Sequence, residues 1–206
     1  MNLDSGISLG DNMTDPGIQI SCAITEMVLF FQEISLLLRT ADGILENKRF
    51  SHLKGTTAVS DSSDSISLPQ KWIPDTIYRC YKHPEDPQHI AAFISVILLE
   101  RESKHWRKQP GHFSEPLITV GWAKFSQNIT PEICSWMPKM YLWSQAKVNG
   151  KIGYIRSDFS DADKPAGRLL ERCLAVPLVD IKSTENLEEK LLNPYFDKMW
   201  PPSKNN

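Results

Sequence analysis

The chain has 206 residues, of which 41% are hydrophobic and 23% charged, and its formal net charge is −2 at pH 7. This length and composition suit one globular domain with tails and allow a core without disulfides or metals. The near-neutral charge excludes a global attraction to nucleic acid or anionic membranes, but it leaves room for a local basic patch. Four scattered cysteines and the absence of a basic, apolar leader predict reduced thiols in a cytoplasmic protein.

The first predicted element is a long helix. Residues 1–19 hold few large apolar groups and are predicted to be a mobile tail. Ser21 is a candidate N-cap for a helix from Cys22 to about Glu46. One set of apolar residues alternates at spacings of three and four, as in helix-on-helix contacts. This set, the heptad face, comprises Ile24, Met27, Phe31, Ile34, Leu38, Ala41 and Leu45.

Further apolar residues make this helix more hydrophobic than a one-sided surface helix requires. One interpretation is a helix buried across a sheet, and the other is a spare apolar face that contacts another chain. Gln32 and Glu33 interrupt the apolar run, which falls short of the ~20 residues of a membrane span, so no membrane partner is expected. The predicted protein-interface residues here are Met27, Phe30, Phe31, Ile34 and Leu38.

The middle of the chain predicts a sheet. A flexible loop is expected at about 54–67, where Ser, Asp, Thr and Gly dominate. The segment 76–82 is a predicted strand, and a turn with two prolines follows it. Residues 89–100 are apolar on both faces, which is typical of a strand in the centre of a sheet. The simplest arrangement of residues 76–100 is an antiparallel hairpin.

The later elements complete an α+β domain. A third strand is predicted at 117–126, helical pieces at 131–147 and 184–196, and a short strand at 151–156. The last strand lies within 168–180, and Pro177 predicts an edge position for it. We expect a mostly antiparallel sheet of four or five strands centred on 89–100, packed by the long N-terminal helix and shorter C-terminal helices. The predicted domain covers residues 20–200, with disordered tails at 1–19 and 201–206.

A basic segment follows the central strand. Its cations surround one tryptophan, a combination that suits phosphate contacts and base stacking. The alternative is a solvated loop that keeps a hydrophobic sheet soluble. If the protein handles nucleic acid, the contact residues are Arg101, Lys104, Trp106, Arg107 and Lys108.

The same segment suggests a catalytic alternative. Metal-dependent nucleases of the restriction-endonuclease type place an Asp and a Glu-x-Lys at such a strand, and this pattern is matched here by Asp86, Glu102 and Lys104. The carboxylates would hold Mg²⁺, and the lysine would polarise the attacking water or the phosphate. Outside this alternative no cofactor is expected. Cys80 and His83 have a zinc-like spacing but no partner pair, so no metal site is predicted.

A second candidate interface lies further along. Trp136, Met140 and Trp143 share a predicted helix face, which is either core or a binding surface rich in hot-spot residue types. No common catalytic motif occurs in the chain. The sequence therefore favours a non-enzymatic interaction protein, an adaptor or accessory subunit of a larger cytoplasmic assembly. Its partner would be another protein or a second copy, and the alternative is a nucleic-acid-binding protein or a metal-dependent nuclease.

Overall fold

The computed structural model describes residues 15–55, 57–60, 66–67, 73–74, 76–86, 88–98, 115–131, 153–158 and 168–200. Within them a long N-terminal helix is followed by an antiparallel sheet and by short C-terminal helices, which confirms the predicted α+β class. The elements are α1 (Pro16–Asn47), β1 (Ser51–His52), β2 (Val59–Ser60), β3 (Thr76–Lys82), β4 (Ile90–Ile97), β5 (Leu117–Phe125), β6 (Gly153–Asp158) and β7 (Arg168–Pro177). After them come a 3₁₀ turn (Leu178–Asp180), α2 (Thr184–Leu187), a π-helical turn (Glu188–Leu192) and α3 (Asn193–Lys198).

The described strands form one sheet in the order β1-β3-β4-β5-β7-β6, with the two-residue β2 also paired to β3. Every pairing is antiparallel, and β3 and β4 form the predicted hairpin. All eight residues of β4 are buried, because both faces of this apolar strand are covered. The central strand predicted from the apolar run is therefore confirmed.

The predicted edge position of the last strand is wrong. β7 pairs with β5 on one side and with β6 on the other, so β6 forms the outer edge among the described strands. Pro177 is the last residue of β7, where its missing N–H ends the ladder without interrupting it. The chain then leaves the sheet, and the Leu178 N–H donates to the carbonyl of Pro116 at 2.8 Å.

Helix α1 begins earlier than its sequence predicts. Asp15 is the N-cap, since its Oδ1 accepts the Gly17 N–H at 2.7 Å, and Pro16 occupies the favoured first position. Ser21, the predicted cap, lies inside the helix, where its carbonyl accepts the Thr25 hydroxyl at 2.9 Å.

The other end of α1 closes with a Schellman motif. The Phe50 N–H donates to the carbonyl of Leu45 at 3.1 Å, and the Arg49 N–H to that of Glu46 at 2.8 Å. Arg49 adopts φ 72°, the left-handed conformation that glycine normally supplies at this position. Phe50 and Leu45 are both buried. The helix thus ends by burying two apolar side chains, at the cost of a strained arginine.

The C-terminal helices pack on the sheet through β5. The Trp122 indole N–H donates to the carbonyl of Met199 at 3.1 Å, and the Tyr195 hydroxyl donates to that of Gly121 at 3.3 Å. Leu187, Leu191 and Leu192 are buried. Ser183 caps this segment, because its hydroxyl accepts the Asn186 N–H at 3.3 Å. These leucines thus form the inward face of the segment.

The chain divides into two compact units, Met1–Arg39 and Thr40–Asn206, and the division falls inside α1. The described part of the first unit is helix alone. The second contains the last turns of α1, the sheet and the C-terminal helices. Residues 1–14, 61–65 and 201–206, which belong to the predicted mobile parts, lie outside the described residues, and their mobility stays a prediction.

Candidate functional site

The first half of α1 carries an unusual density of exposed apolar side chains. Every residue from Asp15 to Phe30 is exposed. Eight large hydrophobic side chains between positions 18 and 36 are 38–62% exposed. They are Ile18, Ile20, Ile24, Met27, Val28, Leu29, Phe30 and Leu36. Residues 16–38 are named the apolar segment here; elsewhere in the described part of the chain the exposed large hydrophobics are isolated.

These side chains do not form a single face. The heptad face is exposed at Ile24 and Met27 but buried from Ile34 onward. Ile18, Leu29 and Leu36 are exposed on the opposite side, about 180° away at ~100° per residue. A helix that is apolar on opposite sides needs apolar surroundings on both.

The predicted interface residues on α1 differ in their burial. Met27 and Phe30 are exposed, and Phe31 is half-buried. Ile34 and Leu38 are buried. Of the predicted set, Met27 and Phe30 thus present the most surface to a partner. The sequence pattern found the apolar residues but could not tell which of them the chain itself covers.

Helix α1 is long and apolar enough to cross a membrane, judged by length and composition. Its 32 residues contain an 18-residue window with a mean hydropathy of 1.6 and at most two charged residues, and only 6% of that window is buried. Core helices of water-soluble proteins also reach such hydropathy, but they are mostly buried.

A polar cluster fastens the last turns of α1 to the sheet. The Asp42 carboxylate accepts from Arg79 Nε at 3.0 Å through Oδ1 and from Arg79 Nη2 at 2.9 Å through Oδ2. The Tyr81 hydroxyl also donates to Asp42 Oδ1, at 2.6 Å. Arg79 and Tyr81 are buried on β3. Burial, followed by the hydrogen bond to Asp42, raises the pKa of Tyr81 far above its usual value, so it stays a neutral donor.

His52 extends this cluster toward solvent. Its Nε2 lies 3.2 Å from Asp42 Oδ1 and its Nδ1 lies 3.3 Å from Glu46 Oε1. The approach to Asp42 lacks the alignment of a hydrogen bond. The carboxylate already holds three donated hydrogen bonds. These contacts have a structural role, because they hold the last turns of the helix against the sheet.

His83, just after β3, is buried in an aromatic environment. Its Nδ1 accepts the backbone N–H groups of Glu85 and Asp86, both at 2.9 Å, so the neutral ring carries its proton on Nε2. Its ring lies 3.8 Å from the Trp200 ring, centroid to centroid. Nε2 is buried without a hydrogen-bond partner among the described residues. Burial lowers the pKa of His83 to about 4.

The predicted nuclease and nucleic-acid residues are not brought together within the described structure. Arg101, Glu102, Lys104, Trp106, Arg107 and Lys108 lie outside the described residues, as do Trp136, Met140 and Trp143. Asp86 is described, and its Oδ1 accepts the His89 N–H at 3.2 Å, which helps to close the β3–β4 turn. The described residues contain no group of three or more His, Cys, Asp or Glu placed to hold a metal ion. The nuclease set therefore stays a prediction.

A scan against family models, a search of curated proteins and a search of solved structures found no match to this chain. The function is therefore inferred from the chain's own surface. Sequence reasoning missed the Asp42 cluster, although it predicted the strand at 76–82 that carries Arg79 and Tyr81. A buried arginine beside a tyrosine was the available indication that a carboxylate had to lie opposite.

Proposed function

We propose that this protein is a non-enzymatic interaction subunit of a larger cytoplasmic assembly, and that the apolar segment of α1 is its attachment surface. The observation that carries the proposal is the exposure of eight large hydrophobic side chains within nineteen residues of one helix. Exposed apolar patches of this kind mark interaction sites on soluble domains.

The energetic scale supports this assignment. Burying one large aliphatic or aromatic side chain contributes about 1.5–3 kcal/mol, so covering eight half-exposed ones is worth on the order of 10 kcal/mol. That gain is comparable to the whole net stability of a typical domain, about 5–15 kcal/mol. A partner that covers the segment would therefore bind strongly, and the uncovered segment would aggregate in water.

The experiment compares two matched substitutions in the full-length chain. Val28 lies in the apolar segment and is 51% exposed, whereas Val179 lies in the 3₁₀ turn and is 59% exposed. Val28→Arg should release the protein from fast-sedimenting material in gently lysed cells, and Val179→Arg should not. Phe30→Glu is the second test variant, with the opposite charge.

Thermal unfolding of the variants supplies the control, since exposed substitutions should leave the melting temperature nearly unchanged. If the wild-type chain sediments as a free monomer, the proposal is wrong. It is equally wrong if Val28→Arg and Phe30→Glu unfold the sheet domain, because the segment would then be ordinary core. The nucleic-acid alternative on residues 101–108 stays a prediction and is tested by salt-dependent binding.

A further inference from the structure

We propose that the partner of the apolar segment is a lipid bilayer, which the segment crosses, with the sheet domain on the cytoplasmic side. This inference rests on the proposed attachment function and identifies the surface to which the apolar segment attaches. It replaces the expectation of no membrane partner, which depended on Gln32 and Glu33 interrupting the apolar run.

Apolar side chains are exposed on opposite sides of the helix. Ile24 and Met27 are exposed on the heptad face, and Leu29 and Leu36 are exposed on the opposite side. One partner helix covers a single stripe of about 100° or more, so it cannot cover both sides. Lipid chains surround a helix completely and need no polar face on it.

The apolar segment also has the length of a membrane span. The apolar segment has no lysine or arginine, and it extends from Pro16 to the residue before Arg39. From Pro16 to Glu33, before the heptad face is buried by the chain itself at Ile34 and Leu38, it rises about 27 Å at 1.5 Å per residue, which is close to a hydrocarbon core of about 30 Å. Its only charged residues, Glu26 and Glu33, are seven positions apart and share one stripe of the helix. Both carboxyl groups can therefore meet a single polar neighbour.

Two other origins of an apolar helix do not fit. A core helix would be covered by its own chain, whereas only 6% of the apolar window is buried. A cleaved export signal is removed from the mature protein, whereas α1 continues past the segment to Ala41 and Leu45, which are buried, and to Asp42, which binds Arg79.

The distribution of cations gives the orientation. Residues 1–38 contain no lysine or arginine, whereas Arg39, Lys48, Arg49 and Lys54 follow the segment closely. Flanks rich in lysine and arginine stay on the cytoplasmic side of a membrane. The sheet domain is thus placed in the cytoplasm, where its buried Cys80 and Cys173 remain reduced.

Flotation of the full-length protein tests the bilayer directly. The purified chain is reconstituted from detergent into phosphatidylcholine vesicles containing a minor fraction of phosphatidylglycerol, washed with alkaline carbonate, and floated in a density gradient. Wild type and Val179→Arg should float with the lipid. Val28→Arg places a charge near the middle of the span and should reduce the floating fraction at least about tenfold.

The outcomes separate this inference from the proposed function. If wild type stays at the bottom as a dimer or larger oligomer, the bilayer is wrong and the attachment function stands. If it stays at the bottom as a monomer and also sediments as a free monomer from gently lysed cells, both are wrong. Equal flotation of Val28→Arg would show surface adsorption and overturn the span. Inside-out membrane vesicles prepared from cells test the orientation. Trypsin added to them should digest the sheet domain, and protection of the domain would overturn the cytoplasmic placement.

Discussion

The carboxylate of Asp42, in the last turns of α1, holds the buried guanidinium of Arg79 through two contacts of 3.0 and 2.9 Å. This pair joins the helix to β3, so it fixes the end of α1 from which the apolar segment extends. Asp42→Ala should destabilise the domain by about 3 kcal/mol, because it leaves a buried guanidinium without its counter-charge. Urea unfolding measures the loss.

Glu46 provides the control for this prediction. It lies one turn further along α1 and is exposed, and among the described residues its carboxylate approaches only His52. Glu46→Ala should change stability by less than about 0.5 kcal/mol. Similar losses of unfolding free energy for the two substitutions would contradict the assignment of Asp42 as the residue that joins the helix to β3. A double-mutant cycle between Asp42→Ala and Arg79→Ala would then measure the coupling itself.

Arg49 offers a stabilising substitution. Its φ of 72° is a conformation that costs an L-residue about 1 kcal/mol and glycine almost nothing. Arg49→Gly should therefore raise the free energy of unfolding by about 0.5–1 kcal/mol, measured by thermal or urea denaturation. Lys48→Gly removes the same charge one residue earlier, where the structure records no positive φ, and should destabilise. Equal losses from both changes would show that the strain is absent.

The hydroxyls of Ser95 and Thr119 form a buried pair at 2.6 Å between β4 and β5. Ser95→Ala alone should cost about 1–3 kcal/mol, because Thr119 keeps a buried polar group without its partner. Replacing both together, as Ser95→Ala with Thr119→Val, should recover most of that loss. Additive losses in urea unfolding would contradict this account of the pair.

His83 should make stability depend on acidity. Burial lowers its pKa from the ordinary value of 6.5 to about 4, so the unfolded chain takes up a proton at higher pH than the folded one. Above about pH 6.5 the ring is neutral in both the folded and the unfolded chain, so its burial costs no free energy of deprotonation. Stability is lost as pH falls from there to about 4, by up to about 3 kcal/mol.

His83→Asn isolates this effect. The Asn oxygen can still accept the backbone N–H groups of Glu85 and Asp86, but the side chain does not titrate. The difference in unfolding free energy between wild type and variant should shrink as the pH is lowered from about 7 to about 4.5. A difference that is constant across this range would show that His83 protonates as readily in the folded protein as in the unfolded one.

The sheet was predictable because its main determinant is local. The apolar run of β4 required cover on both faces, and the two prolines after β3 required a turn, so the hairpin followed from the sequence. The edge position assigned to β7 was wrong because a proline at the last residue of a strand does not disturb the ladder. Only the pairing with β6, a long-range contact, decides this point.

The candidate site was less predictable. Apolar periodicity identified α1, but the exposure of each side chain depends on which residues the rest of the chain covers. Ile34 and Met27 both belong to the heptad face, yet Ile34 is buried and Met27 is exposed. The Asp42–Arg79 pair joins residues 37 positions apart, so no local pattern identifies Asp42 as the partner of Arg79. His83 was considered as a zinc ligand, and its burial against Trp200 could not be anticipated, because the two residues lie far apart in the sequence.

A nitroxide scan of the apolar segment tests the central claim most directly. Spin labels are placed one at a time on the heptad face, at Ile24, and on the opposite side, at Leu29 and Leu36, in protein reconstituted into vesicles. The account predicts that labels on both sides collide more with oxygen, which concentrates in lipid, than with a water-soluble nickel chelate. Labels on one side that meet the nickel chelate freely would contradict the claim that apolar surroundings enclose the helix.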